Sequence, residues 1–439
     1  MKAITKYTGI LMGLALLASC DAYKAIDYPD RFVETPGVPT VHFVRYADRD
    51  VVITQAAMEE TICIVGDNLT SVHDIYFNDQ AAVLNTSYMT ANTLVVQVPK
   101  NLPTVQDDQM HLITRDSSVV LYDFKVLPPA PKVSGMSNEW AAAGETVTIT
   151  GAYLFPPMKV QFPGTDPIDI ASSNNGSSFE VVVPEGAQPG KVKVTTDSGT
   201  AQSVFMYKDT RGMLFDFDGM TGLDNHGWNG HSSQDDDGTG ISGRFFQFGD
   251  GNAVLNGDWE EANFSLVYWP GSWNEPENYN DGTQMWPRLC DIVDFSKWNN
   301  MALKFEMYIP SSNPWKNTPM MICVGGVDLI SFGAVTTDIY GNSCAGQNNT
   351  YMSGNDAPRA FYKPWEATGS FDTGDKWITV SIPLTEFNKG WNGQDVTTEI
   401  SAATFASMWF FICNGGIDYP EASCTPIIKI DNVRAVPIK

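Results

Sequence analysis

Residues 266–286 read LVYWPGSWNEPENYNDGTQMW and place Tyr268, Trp269, Trp273, Tyr279 and Trp286 among Pro270, Gly271, Pro276, Asn278, Asn280 and Gly282. Proline lacks a backbone donor, and glycine and asparagine favour turns, so the stretch reads as a loop that opens where a strand ends at Leu266 and Val267. Loops run over the surface. Eleven of the twelve tryptophans follow residue 207, and eight of them lie in or beside Gly/Pro/Asn loops: Trp228, Trp259, Trp269, Trp273, Trp286, Trp315, Trp365 and Trp391. Any one of these could plug a core, but all eight exposed would be an aggregation liability unless they bound something. An indole face is flat, apolar and electron-rich. It matches the C–H face of a β-linked pyranose, while nearby Asn, Gln, Asp and Arg suit the hydroxyls. Stacking one ring buries ~100 Å² and contributes about 2 to 3 kcal/mol before entropy costs. Trp377 and Trp409 sit in alternating strand runs and read as core, and Trp298 reads as a corner residue.

The same region is rich in carboxylates: Glu260, Glu261, Glu275, Glu277 and Asp281. Glycoside hydrolysis needs two of them about 5 Å, or about 6.5 to 9.5 Å, apart. Asn274-Glu275-Pro276 echoes the surroundings of an acid/base in some barrel hydrolases, but the βα alternation of a barrel is absent from the pattern. Catalysis by loop carboxylates is therefore the rival reading. His226 and His231 are five residues apart in a loop, not at the helical spacing of a zinc site. Asp235-Asp236-Asp237-Gly238 lacks the alternation of a calcium-binding EF-hand loop, so it reads as a solvated loop.

Positioning such side chains needs a scaffold, and the composition bounds it. The chain has 439 residues with 43% hydrophobic, 12% aromatic and 18% charged content, the last below a typical ~25%. A formal charge of -24 argues against nucleic acid and anionic lipid as partners. Lys2 and Lys6, the apolar run over residues 9–18 and Leu17-Ala18-Ser19-Cys20 resemble a lipoprotein export signal. Residues 1–19 would be removed and Cys20 lipidated, and residues 20–37 would form a tether broken by Pro29 and Pro36. Among the other six cysteines there is no C-x-x-C pair or zinc spacing. Cys413 pairing with Cys424 and buried free thiols both remain open.

Two segments repeat. Residues 62–69 (ICIVGDNL) recur as 147–154 (VTITGAYL), and 95–99 (VVQVP) as 180–184 (EVVVP), each 85 residues on. Two matches at one offset mark a duplicated module. Short β-branched runs split by Gly, Asn, Asp and Pro indicate small antiparallel sandwiches over residues 38–127 and 128–207, joined at Leu127-Pro128-Pro129-Ala130-Pro131. Strand-like runs continue to the end without a long 3.6-residue period, so residues 208–439 are expected to form an eight-stranded jelly roll with long loops. The expected fold is all-β.

The strand-Gly-x-x-Leu pattern of both repeats resembles the immunoglobulin-like IPT/TIG fold. Lipobox, tether, tandem modules and a Trp-rich C-terminal β-domain together resemble surface glycan-binding protein B of polysaccharide-utilisation systems. That resemblance implies a non-catalytic lipoprotein on the outer membrane surface. It would capture a β-glycan, of xyloglucan, mixed-linkage glucan or mannan type, for a TonB-dependent importer with its starch-utilisation-D-like partner. It implies a Tyr-Trp platform, matched by Tyr268 and Trp269, with an upstream partner at Trp228 and Trp259 in reserve. Trp273 and Trp286 join the set from loop position. A contact role for Trp269 implies that Trp269→Ala abolishes glycan binding and barely moves the thermal midpoint. No cofactor is expected. A structural calcium would have to sit near Asp216, Asp218 and Asp431, since jelly-roll modules often hold one between first and last strands. A structural or adhesive surface protein is the further alternative.

Overall fold

The computed structural model describes residues 33–225, 232–258, 260–270, 286–326, 357–419 and 423–438, apart from the side chain of Glu261. The expectations placed on Cys20, Trp228, Trp259, Trp273, His226, His231, Glu275, Glu277 and Asp281 lie outside the described residues. The chain divides into two compact units at the proline-rich joint, Met1–Ala130 and Pro131–Lys439.

The first unit carries β1 (Thr40–Tyr46), β2 (Val52–Ile53), β3 (Gln55–Ala57), β4 (Thr61–Asp67), β5 (Val72–Phe77), β6 (Gln80–Ala82), β7 (Thr93–Gln97), β8 (Gln109–Thr114), β9 (Val119–Asp123) and β10 (Lys125–Leu127). They form sheets β2-β1-β4-β7 and β6-β5-β8-β9, with β3 and β10 paired in parallel. In the second unit, β11 (Lys132–Met136), β12 (Thr146–Ala152) and β15 (Ser178–Val182) make one sheet. β13 (Met158–Gln161), β14 (Ile168–Ile170), β16 (Lys193–Thr196) and β17 (Gly199–Gln202) make the other, in the order β14-β13-β16-β17.

The repeat is conserved down to register. Ile62 pairs with Val96 and Val147 with Val181, each partner 85 residues on. The shared glycine is explained by a bulge. β1 slips register between Val41 and Phe43 opposite β4, and β11 slips between Val133 and Gly135 opposite β12. There the opposing backbone comes so close that a Cβ on Gly66 would lie 1.8 Å from the Thr40 carbonyl oxygen, and one on Gly151 1.9 Å from that of Lys132. Only glycine fits such an approach. The leucine three residues later, Leu69 or Leu154, is fully buried in its module's core, a gain of about 2 kcal/mol each.

The C-terminal region adds β18 (Met213–Phe215), β19 (Phe246–Phe248), β20 (Ser265–Tyr268), β21 (Met301–Tyr308), β22 (Met320–Gly325), β23 (Arg359–Tyr362), β24 (Ile378–Pro383), β25 (Ser407–Ile412) and β26 (Ile428–Pro437). Among the described residues these strands form a five-stranded sheet, β18-β26-β21-β24 with β19 also on β26, and a four-stranded sheet, β20-β25-β22-β23. The two enclose the main core. Leu303, Phe305, Met307, Ile428 and Ile430 come from one side, and Leu266, Tyr268, Ile322, Phe410 and Ile412 from the other. Among the described residues the helices are single turns, such as Glu261–Phe264 and Leu289–Ile292.

Period-two alternation sends Lys304, Glu306 and Arg434 to the outer face of the five-stranded sheet. All three are nonetheless buried, with Lys304 7% exposed and the other two 0%. Glu139 of the second module covers them. Its carboxylate takes Lys304 Nζ on one oxygen and Arg434 Nη2, at 2.9 Å, on the other. Arg434 also donates to both Glu306 oxygens, at 2.7 and 3.0 Å. Thr379 closes the joint: its hydroxyl donates to Glu306, and its N–H donates to the Ser137 carbonyl at 2.8 Å. Module and C-terminal sandwich thus form one packed body.

Candidate functional site

The four-stranded sheet is apolar on both faces. Strands β20, β22 and β25 are buried at every position. One face is the main core, and the other gathers Val267, Trp269, Met321, Cys323, Trp409, Phe411 and Cys413, with Phe361 and Trp391 packed against them. A strand buried on both faces must be covered on both or meet a ligand. Register aligns the second face in rows: Val267 beside Trp409, Cys323 and Arg359, then Ser265 beside Phe411, Met321 and Phe361.

Arg359 is fully buried at this face, its guanidinium 5.5 Å from the Trp391 ring centre. Its backbone exchanges hydrogen bonds with Lys389, at 2.8 and 3.2 Å. Burial pushes the Cys413 thiol up to about 12 and raises Cys323 as well, so both stay protonated. Cys413 and Cys424 are free thiols in this structure.

Several described residues that flank the aromatic-rich stretches are tied to this sheet. Tyr268 pairs with Met408, and Met408 with Val324. The chain leaves β20 at this end and returns where Trp286 N–H donates to the Pro270 carbonyl at 3.2 Å. It leaves β22 at the same end and returns where Val324 N–H donates to the Pro358 carbonyl at 2.9 Å. Asn225, three residues before Trp228, accepts from Val267 N–H at 2.8 Å. Asn225, Pro270, Trp286, Val324 and Pro358 are therefore tied to one sheet, although Asn225 lies about 40 residues upstream of its partner Val267.

Individual side chains differ from the sequence reading. Tyr268 still belongs to β20 and lies on its core-facing side, 1% exposed, its hydroxyl donating to the Pro287 carbonyl. Adjacent strand residues point to opposite faces, so Tyr268 and Trp269 do not form one flat platform. Trp269 is 2% exposed and packs in the second face. Trp286 presents itself to solvent at 41%. Of the other loop tryptophans, Trp315 and Trp365 are plugs in the main core. Their indole N–H groups donate to the Thr318 carbonyl, at 2.9 and 3.2 Å. Trp391 is half-buried against the second face. Trp409 is core, as expected. Trp298 packs at the edge of the core beside Phe405. Trp377 instead lies half-buried beside Tyr308 and Phe245, its N–H donating to the Thr239 carbonyl at 2.6 Å.

The carboxylates near the site serve the backbone. Glu260 caps the helix Glu261–Phe264 by accepting from Asn263 N–H at 3.0 Å. The acidic triplet is tied down: Asp235 pairs with Arg244, Asp236 accepts from Gly238 and Gly240 N–H, and Asp237 pairs with Lys429. Asp216 accepts from Met220 and Thr221, Asp218 from Arg244 N–H, and Asp431 from Ser242 and Asn432 N–H. Among the described residues no three His, Cys, Asp or Glu side chains converge as a metal site. The sequence reading missed the Glu139–Arg434 joint and Arg359. Arg434 and Arg359 were signalled only by charge within otherwise apolar strands, and Glu139, in a turn, by nothing local.

Comparison with known proteins follows this geometry. The model of the surface glycan-binding protein B xyloglucan binding domain matches residues 207–437. The crystal structure of the surface glycan-binding protein PbSGBP-B from Prevotella bryantii is 41% identical, covers 92% of this chain and 100% of that one, and superposes with a TM-score of 0.74. A Bacteroides ovatus IPT/TIG domain-containing protein is 26% identical over 193 residues, which cover 40% of this chain and 38% of the relative. The match therefore spans under two fifths of that curated relative's length.

Proposed function

This chain belongs to the surface glycan-binding protein B family, and we propose that it is a non-catalytic lipoprotein that captures a β-glycan at the Trp286 end of its four-stranded sheet. Xyloglucan is the first candidate, because the matched domain model is described by that polymer. Mixed-linkage glucan and β-mannan present similar stackable faces. The observation that supports the reading is that Asn225, Pro270 and Trp286, which flank two tryptophan-bearing stretches of the sequence, are hydrogen-bonded at or next to strand β20, with Trp286 exposed to solvent.

In this proposal Trp286 stacks on the sugar, and Trp228 and Trp273 extend the contact. Trp269 and Tyr268, being buried, brace the site from beneath. Lipidation of Cys20 would hold the protein at the outer membrane surface, beside a TonB-dependent importer and its starch-utilisation-D-like partner. Of the candidate carboxylates, the described Glu260 is engaged in a helix cap.

Affinity gels containing xyloglucan, mixed-linkage glucan or β-mannan test the reading. The full chain is expected to be retarded in at least one, without release of reducing ends. Trp286→Ala should abolish retardation and shift the thermal midpoint by no more than about 2 °C, as for an exposed position. Trp269→Ala should cost about 3 to 5 kcal/mol of stability, as for a buried tryptophan. This replaces the expectation of an unchanged midpoint. Retardation in none of the gels, or full retardation of Trp286→Ala, would refute the assignment. Radiolabelled palmitate incorporation that survives Cys20→Ala would refute the anchor.

A further inference from the structure

Strand β23 ends at a groove that the sequence reading did not reach. It has a volume of about 430 Å³, within the few-hundred-Å³ range of small-ligand sites. Phe361, Ile417 and Tyr419 supply its apolar surface, and Lys363, Glu386, Asn388 and Lys389 its polar rim. Tyr419 is held in place by Trp365, which meets it edge-on with ring centres 5.9 Å apart. Trp365 is itself tethered to the Thr318 carbonyl. The aromatic wall is thus ordered before any ligand arrives, which lowers the entropy cost of binding. Asn388 is exposed and donates Nδ2 to the Thr385 carbonyl at 3.2 Å, so its Oδ1 is the end offered to a ligand.

The charges around the groove select among ligands. Lys363 pairs with Glu366 at 2.6 Å, and Lys389 pairs with Asp395. Both cations bring their own counter-ions, and Glu386 adds a negative charge. A polyanionic glycan would meet repulsion here, in a chain of net charge -24. A neutral sugar offers flat C–H surface to the two aromatic rings and hydroxyls to the rim.

We propose that this groove is a second sugar-binding subsite, selective for a neutral, hydroxyl-rich glycan segment. Tyr419 and Phe361 take the C–H faces, and Asn388, Glu386 and Lys363 take hydroxyls. The proposal rests on the glycan-binding reading above. Strand β23 is the edge of the sheet opposite β20, three strand spacings or ~14 Å across, and the groove lies at its Tyr362 end, which register places away from the Tyr268–Val324 end. A long polysaccharide can engage both places and gain avidity, whereas a short oligosaccharide occupies one.

The test uses calorimetry on the full chain with the polysaccharide that retards the wild type, and with polygalacturonate. Tyr419→Ala is one variant. The double variant Glu386→Gln/Asn388→Ala is the second, because its exposed side chains leave the fold intact. Each is expected to weaken polysaccharide binding about tenfold with an unchanged thermal midpoint in the double variant. Polygalacturonate is expected to bind neither wild type nor variants. Affinities within about twofold of wild type in both variants, or tighter binding of polygalacturonate than of the neutral polymer, overturn the subsite. A wild type that binds no glycan overturns the underlying reading as well; a wild type that binds while both variants match it overturns the subsite alone.

Discussion

Arg434 and Glu139 stand 295 residues apart in sequence and form a fully buried ion pair at 2.9 Å. The pair belongs to a four-member group with Lys304 and Glu306, two acids and two bases, so the joint between module and sandwich is charge-balanced. Burying charge is costly unless every partner is present. The group therefore acts less as a source of net stability than as a key that accepts one arrangement of the second module on the five-stranded sheet.

Removing one member shows this directly. Glu139→Gln leaves Lys304 without its carboxylate and strips Arg434 of one of two. A loss of about 3 to 5 kcal/mol is expected. Calorimetry of the Pro131–Lys439 portion within the full chain should resolve the second module and the sandwich as separate transitions in the variant and as one in the wild type. A single unchanged transition would contradict the role of the pair.

Asp431 gives the protein a pH dependence of stability. Burial pushes its carboxyl up to about 8, against a lowering pull from the Ser242 and Asn432 hydrogen bonds, and Glu306 and Asp218 add repulsion. An unfolded aspartate titrates near 3.9. The native state therefore holds this proton more tightly than the unfolded state between about pH 4 and 8. Stability is highest below that window and falls as pH rises through it, by up to about 1.4 kcal/mol per pH unit. Glu306, also raised by burial, acts in the same direction. Urea denaturation at pH 5, 6, 7 and 8 should show the decline, and Asp431→Asn should make it shallower. A wild-type stability that rises from pH 5 to 8 would refute this account.

Gly66→Ala tests the bulge in the first unit. The new methyl would meet the Thr40 carbonyl oxygen at 1.8 Å, and backbone on both strands must move. A destabilisation of about 2 kcal/mol or more is expected. Because the division falls at Ala130 and Pro131, the effect should appear in the melting of the first unit only. Glycan retardation should be unchanged. A shift in the melting of residues 131–439 would show the units to be coupled.

Much of the scaffold was legible because its signals are local. The 85-residue offset gave two modules, and the structure repeats it in strand register and in the position of a bulge. The glycine of each repeat was visible as a letter, but its reason, a carbonyl oxygen of another strand under 2 Å from where a Cβ would sit, was not. Tryptophans embedded among turn formers were visible as letters, but Trp315 and Trp365 among them are plugs of the main core.

The sequence alone determined composition, the duplicated modules, the all-β character and the crowding of aromatics into loops, because these depend on residues near one another in the chain. The tertiary structure decided which of those aromatics face outward. Tyr268 points into the core because β20 pairs with β25, about 140 residues later, and that pairing extends the strand through a residue that looked like the start of a loop. Trp315 and Trp365 are buried because Thr318 and Tyr362 or Tyr419 close around them. Glu139 meets Arg434 only when a module and a sheet dock. Burial is set by neighbours distant in sequence, and residue spacing carries no record of them.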